Sequence, residues 1–247
     1  MAEYTYIGSE LELFSEASNW KAYYARLIRP YLGEEVLEVG AGIGATTASL
    51  CSEDQKRWVC LEPDPELAHT LEGRIGGGLL PECCEVKVGT LPDLSEQEVY
   101  DSVVYVDVLE HIEDDETEVR LAAEHLREGG TLVVLAPAHG WLFSPFDQAL
   151  GHYRRYDFKG LSRIIPRELE RIRVGYLDCV GLLASLGNRF VLKSRMPSRR
   201  QIALWDGGMV TVSRLLDPLL GYSVGKSVLG IWQKSSRKIR EDTVDEE

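Results

Sequence analysis

The stretch Val36-Leu37-Glu38-Val39-Gly40-Ala41-Gly42-Ile43-Gly44 decides the architecture of this chain. A short apolar run of strand character enters a loop with glycine at every second position, and Ala45 to Cys51 then reads as a helix. Glycine carries no Cβ, so such a loop turns tightly and lets its backbone approach a ligand. The helix beyond it presents unpaired N–H groups.

Outward from this loop, strands and helices alternate. Trp58 to Leu61 is followed by a helix from Pro65 to Ile75, and strands at Glu85 to Val88 and Ser102 to Val106 follow in turn. A polar helix from Asp114 to Leu126 then leads to a strand at Thr131 to Leu135. This rhythm predicts a parallel sheet with helices on both faces and a ligand beyond the carboxyl ends of the strands. Ahead of the sheet, Trp20, Tyr23, Tyr24, Leu27, Ile28 and Tyr31 recur at helical spacing, with Ser18 as the expected cap and Pro30 as the stop. Past Pro137 an aromatic loop runs to Tyr156. A helix near Leu161, a strand at Ile172 to Tyr176, a basic apolar segment through Leu220 and a last strand at Ser227 to Gln233 complete the order. One domain is expected over 1–233: a helical cap at 1–32, a cofactor-binding half at 33–137, and a substrate side at 138–233 with a helical insertion at about 184–222. The acidic tail, 234–247, reads as disordered.

Gly40, Gly42 and Ala45 fit two ligand classes, because dinucleotide binders share the pattern. Glu62, ending the second strand, would bind ribose hydroxyls under either reading. Glu38 separates them. A carboxylate just before the turn is awkward beside a pyrophosphate and suits a ligand carrying an amino group and a sulfonium, which favours S-adenosylmethionine over NAD. A hydride-transfer constellation such as Tyr-x-x-x-Lys is not found. A noncatalytic assembly protein retaining the same fold stays open.

Four segments, Glu38 to Gly44, Leu61-Glu62-Pro63-Asp64, Asp107-Val108-Leu109-Glu110-His111-Ile112 and Leu126-Arg127-Glu128-Gly129-Gly130, resemble in order the motifs of class I methyltransferases. The resemblance covers roughly the first half of the chain. It implies a Rossmann-like α/β seven-stranded sheet with an N-terminal helix and a C-terminal helical insertion. It further implies that Glu38 and the loop of Gly40, Ala41, Gly42 and Gly44 hold the methionine end, that Glu62 and Pro63 serve the ribose, and that Asp107 and Val108 lie beside the methionine and sulfonium. Many relatives place an acidic residue after the third strand for adenine. This chain has Gly89-Thr90-Leu91 there, so adenine recognition falls to Thr90, Leu91, a backbone group or Asp93.

Catalytic candidates gather after the fifth strand, in Asp147 followed by Gly151-His152-Tyr153-Arg154-Arg155-Tyr156. The segment resembles the signature of a bacterial methyltransferase subgroup associated with glycan or lipid-linked glycan enzymes. That resemblance implies a small-molecule or lipid- or glycan-linked acceptor, methylated on oxygen or nitrogen. His152 is the candidate base, with Tyr156 beside it, and Arg154 or Arg155 is the candidate anchor for an anionic group. The alternative is that these side chains tie the loop to Asp147, Asp157 or a helix end. His111, after Glu110, and His139 are further candidates. Asn188 to Arg200 concentrates Arg189, Lys193, Arg195, Arg199 and Arg200, suiting an active-site cover, an anionic substrate or a homodimer contact. Trp205, Leu215, Leu216, Leu219 and Leu220 read as packing residues of a helical cap.

Composition bounds the rest. The 247 residues, 44% of them apolar, suffice for one substantial core, and a formal charge of −13 disfavours nucleic acid and acidic membranes as partners. The odd set Cys51, Cys60, Cys83, Cys84 and Cys179 has neither C-x-x-C spacing nor a histidine at zinc spacing, so reduced thiols and no metal are expected. No secretory signal and no membrane-length apolar run is found, and a cytoplasmic protein is expected.

Overall fold

The computed structural model describes residues 10–187 and 198–235. The tail from 236 onward and most of the basic segment, including Arg189, Lys193 and Arg195, lie outside the described residues.

Seven strands form one sheet in the order β3-β2-β1-β4-β5-β7-β6. They are β1 (Glu35–Val39), β2 (Arg57–Glu62), β3 (Cys84–Val88), β4 (Tyr100–Val106), β5 (Leu126–Pro137), β6 (Leu169–Leu177) and β7 (Ser227–Lys234). The first five are parallel, whereas β7 runs antiparallel to both β5 and β6. This is the Rossmann-like class I arrangement that the motifs imply. Strand order reverses between β1 and β4, which opens a crevice beyond their carboxyl ends.

Alternation along β1 sorts the core. Leu37 and Val39 join the cluster with α5 (Asp115–Glu124) and α7 (Phe158–Ile164). Val36 points to the other face, toward Trp58, Cys60 and the aromatic side of α2 (Ser18–Ile28). Glu38 shares that second face by the two-residue period of a strand.

Helix starts are set by local oxygen acceptors where the sequence offers them. Asp64 caps α4 (Pro65–Gly76), accepting from the N–H groups of Glu66 at 2.8 Å and Leu67 at 3.2 Å, with Pro65 in the first turn. The expected Ser18 cap is not used. Ser18 is itself the first helical residue of α2, and Asp206, far along the chain, accepts from the N–H groups of Asn19 at 3.1 Å and Trp20 at 2.8 Å.

Asp206 belongs to a helical cover between β6 and β7: α8 (Cys179–Gly187), α9 (Arg199–Leu204), a π-helical turn (Trp205–Val210) and α10 (Thr211–Leu219). The cover begins at Cys179, earlier than 184, because Asp178 accepts from the Gly181 N–H at 3.0 Å and starts α8. Buried carboxylates lock it down. Asp217 receives the Tyr23 hydroxyl at 2.8 Å and the Asp178 and Cys179 N–H groups, and Asp178 receives Trp205 Nε1 at 2.6 Å. Trp205 is buried as expected, but Leu215 and Leu219 are 70% and 81% exposed, and Leu216 and Leu220 are also exposed. The correction has a simple cause: α10 turns Ser213 and Asp217 inward, so its leucines face out.

β7 takes in Lys234, whose ammonium donates to the carbonyls of Ala123 and Leu126, so the strand runs one residue past Gln233. No described helix is long and apolar enough to cross a membrane. All five cysteines are free, yet folding gathers Cys51, Cys83 and Cys84, with 3.5 Å between the sulfurs of Cys51 and Cys83.

Candidate active site

Beyond β1 and β4 lies a cavity of about 820 Å³. Its lining joins the glycine loop (Gly40, Ala41, Gly42, Ile43), Asp107 after β4, and His111, His152 and Arg155. Trp20, Tyr24, Phe146 and Trp205 supply aromatic surface, and Lys21 and Lys226 supply cations.

The loop takes its shape from the glycines. Gly40, Gly42 and Gly44 have φ of 67°, 57° and 76°, the left-handed region that a side chain disfavours. A Cβ on Gly40 would also stand 2.7 Å from Val108, so Val108 packs behind the loop and does not line the cavity. Glu62 holds the loop from β2: one oxygen accepts from the Gly42 N–H at 2.7 Å and the other from the Asp64 N–H at 3.0 Å. Glu38 lies beneath it, 2% exposed and outside the cavity lining. Its Oε2 accepts from the Thr47 hydroxyl at 2.6 Å and Trp58 Nε1 at 2.7 Å. Burial pushes the Glu38 carboxyl up to about 7, against the pull of those two bonds.

Pro63, Thr90 and Leu91 stand apart from the cavity. Thr90 closes a capping box with Asp93, whose Oδ2 accepts from its N–H at 2.8 Å and its hydroxyl at 2.9 Å, and Leu91 is buried.

Asp107 has a φ of 54° and opens onto the cavity. Burial deep in the fold raises its carboxyl, and the charges of His152, Lys226, Arg155 and Lys21 pull it back. Burial, ahead of all else, lowers Lys21 and Lys226.

The loop after β5 is tied down by its own side chains. Asp147, fully buried, accepts from His152 Nδ1 at 3.1 Å and from Arg155 Nε at 2.7 Å and its terminal nitrogen at 3.1 Å. Burial works to raise the Asp147 carboxyl, but the bonds from His152 and Arg155 and the Arg155 charge hold it well below the usual range. Arg154 pairs with Asp115 at 2.7 Å. Arg155 therefore reaches the cavity with its guanidinium already engaged by Asp147. The Tyr156 hydroxyl donates toward Asp115 at 2.7 Å and lies near the Leu109 carbonyl, in the interior and away from the cavity lining. His139 bonds the Gly225 carbonyl and stacks on Tyr176, also outside the lining.

His111 and His152 meet edge to face, ring centroids 4.5 Å apart. Burial, then the neighbouring His152, pushes His111 down to about 4, which leaves it neutral near pH 7. Sequence reading did not foresee Lys21, Lys226 or the aromatic lining, because their neighbours in space lie far along the chain.

Residues 37–132 match a family described as a methyltransferase domain. Among solved structures, the chain resembles a putative sarcosine dimethylglycine methyltransferase from Galdieria sulphuraria at TM-score 0.60 and 16% identity, covering 88% of this chain and 85% of the other. It also resembles the N-methyltransferase NodS from Bradyrhizobium japonicum in complex with S-adenosyl-l-homocysteine, at TM-score 0.60 and 15% identity, with 92% and 96% covered. A geranyl diphosphate methyltransferase in complex with SAM aligns at TM-score 0.64 and 12% identity, with 92% and 90% covered. At such identities these likenesses establish the fold. No curated protein matches the sequence.

Proposed function

We propose that the protein transfers the methyl group of S-adenosylmethionine to an oxygen or nitrogen of a small-molecule or lipid- or glycan-linked acceptor held in the cavity. The observation that carries this reading is a single cavity lined both by the left-handed glycine loop with Asp107 and by His111 and His152. The Asp107 carboxylate on the cavity wall suits a cationic sulfonium ligand and disfavours a pyrophosphate, and two structural neighbours carry the sulfur nucleotides.

S-adenosylmethionine, when bound, supplies an electrophilic methyl group. The backbone from Gly40 to Gly44 would hold its methionine end, with Glu38 bracing that loop and Asp107 facing the charge. Glu62, which fixes the loop at the Gly42 N–H, would serve the ribose, whereas Pro63, Thr90 and Leu91 lie outside the cavity lining and would support the ribose and adenine side from behind. The aromatic lining excludes water and helps align the acceptor, which supplies much of the acceleration in such a displacement. His152, oriented by Asp147, faces the acceptor together with His111.

Calorimetric titration should show binding of S-adenosylmethionine and S-adenosylhomocysteine and none of NAD. Incubation with methyl-labelled cofactor and a metabolite extract should then yield a labelled product. Binding of NAD alone would overturn the proposal.

A further inference from the structure

The short turn after β4 places Glu110 in the interior, 1% exposed, and neither of its carboxylate oxygens has a hydrogen-bond partner. An ionised carboxylate left this way is costly in a protein interior, so the group either keeps a proton or meets a cation.

A cation has two further donors at hand. Glu110, His111 and His152 each offer a ligand atom, and these atoms all lie within 4.8 Å of one another. Both imidazoles carry a hydrogen bond to a carboxylate or a carbonyl, the kind of partner that orients metal-binding histidines. His152 Nδ1 bonds Asp147 at 3.1 Å, and His111 bonds the backbone carbonyl of Leu150. The loop is stitched to the turn at this point, because the Tyr153 N–H donates to the Glu110 carbonyl at 2.8 Å.

We propose that Glu110, His111 and His152 bind one divalent first-row transition ion, and that its open positions take an oxygen of the methyl acceptor. Two imidazoles and one carboxylate suit manganese, iron, cobalt or zinc better than calcium or magnesium, which favour all-oxygen shells. All three residues line the cavity, so open coordination positions face the space assigned to the acceptor. The second half of the inference rests on the proposed methyl transfer. A hydroxyl on the ion loses its proton to solvent more readily. Its oxygen then forms the bond to the methyl carbon as the carbon–sulfur bond breaks, and the electron pair leaves on sulfur to give the thioether. The acceptor class is thus an alcohol, phenol or other oxygen nucleophile.

The test uses the full chain, stripped with chelator and titrated with manganese, cobalt and zinc salts in the absence of cofactor. One equivalent should bind, and cobalt should give the visible bands of a nitrogen- and oxygen-ligated centre. Glu110→Gln, nearly isosteric and neutral, should fold with an unchanged circular dichroism spectrum and lose roughly tenfold or more in ion affinity, and Asp147→Asn should weaken binding by about ten- to a hundredfold through His152. Wild-type protein that binds no stoichiometric ion, or Glu110→Gln that binds as the wild type does, overturns the site. Ion binding without methyl transfer to any acceptor would leave the site standing and remove the methyl-transfer reading, whereas cofactor binding with no ion would do the reverse.

Discussion

Asp147 and Arg155 form a two-point pair, with 2.7 Å and 3.1 Å between guanidinium nitrogens and the two carboxylate oxygens, and the carboxylate is fully buried. The same carboxylate orients His152. Removing one partner of such a pair leaves the other charge buried and alone, which typically costs about 3–5 kcal/mol. Asp147→Ala should therefore lower the free energy of unfolding by about that much in urea titration. Arg155→Lys keeps a charge but loses the fork. It should lower kcat through His152 and leave cofactor affinity intact; a change confined to acceptor KM would show that Arg155 contacts the acceptor directly.

Glu38 predicts a trade between stability and binding. Its folded value, about 7, lies above that of the unfolded chain, so its favourable contribution is complete below about pH 4.3 and is lost as pH rises through 7. Glu38→Gln keeps an oxygen for Thr47 and Trp58 without the buried charge. At pH 8 the variant should be more stable than the parent by up to about 3 kcal/mol, the advantage should vanish near pH 4, and S-adenosylmethionine should bind more weakly. Unfolding curves of both proteins that keep a constant offset from pH 4 to 8 would show that Glu38 does not titrate in this range.

Glu62 grips the N–H groups of Gly42 and Asp64. Replacing it by alanine should release the glycine loop and remove the proposed ribose contact. Calorimetry should report a loss in S-adenosylmethionine affinity of roughly ten- to a hundredfold, equivalent to about 1.5–3 kcal/mol. Unchanged affinity in a folded variant would refute the ribose role.

Asp206 caps α2 from across the fold. Asp206→Ala should cost about 1–2 kcal/mol in thermal or chemical unfolding, the usual worth of a helix cap. It should also loosen Trp20, which lines the cavity, and so weaken binding there. Stability equal to that of Ser18→Ala would sink this account, because Ser18 makes no cap bond.

Local physics made much of the molecule legible in advance. The alternation of apolar runs with helices dictated a parallel sheet, and three glycines that all take positive φ marked the loop at its switch point. Asp107 and Glu62 could be placed beside that loop because strand ends in this architecture converge there. The limits of this reading are equally local. Tyr156 and Arg155 sit within the same short segment as His152, and nothing in their spacing tells a side chain that faces the cavity from one that staples the loop to Asp115 or Asp147.

The amino-acid sequence thus determined the sheet, the glycine loop and the order of the elements, since strand and helix periodicities and glycine conformations are properties of neighbouring residues. Only the tertiary structure decided which side chains share the cavity. It brought His152 against His111 and an unpartnered Glu110, set Asp206 on the start of α2, and turned the α10 leucines outward. Those relationships join residues far apart along the chain, where proximity comes from packing, and burial and charge act through space.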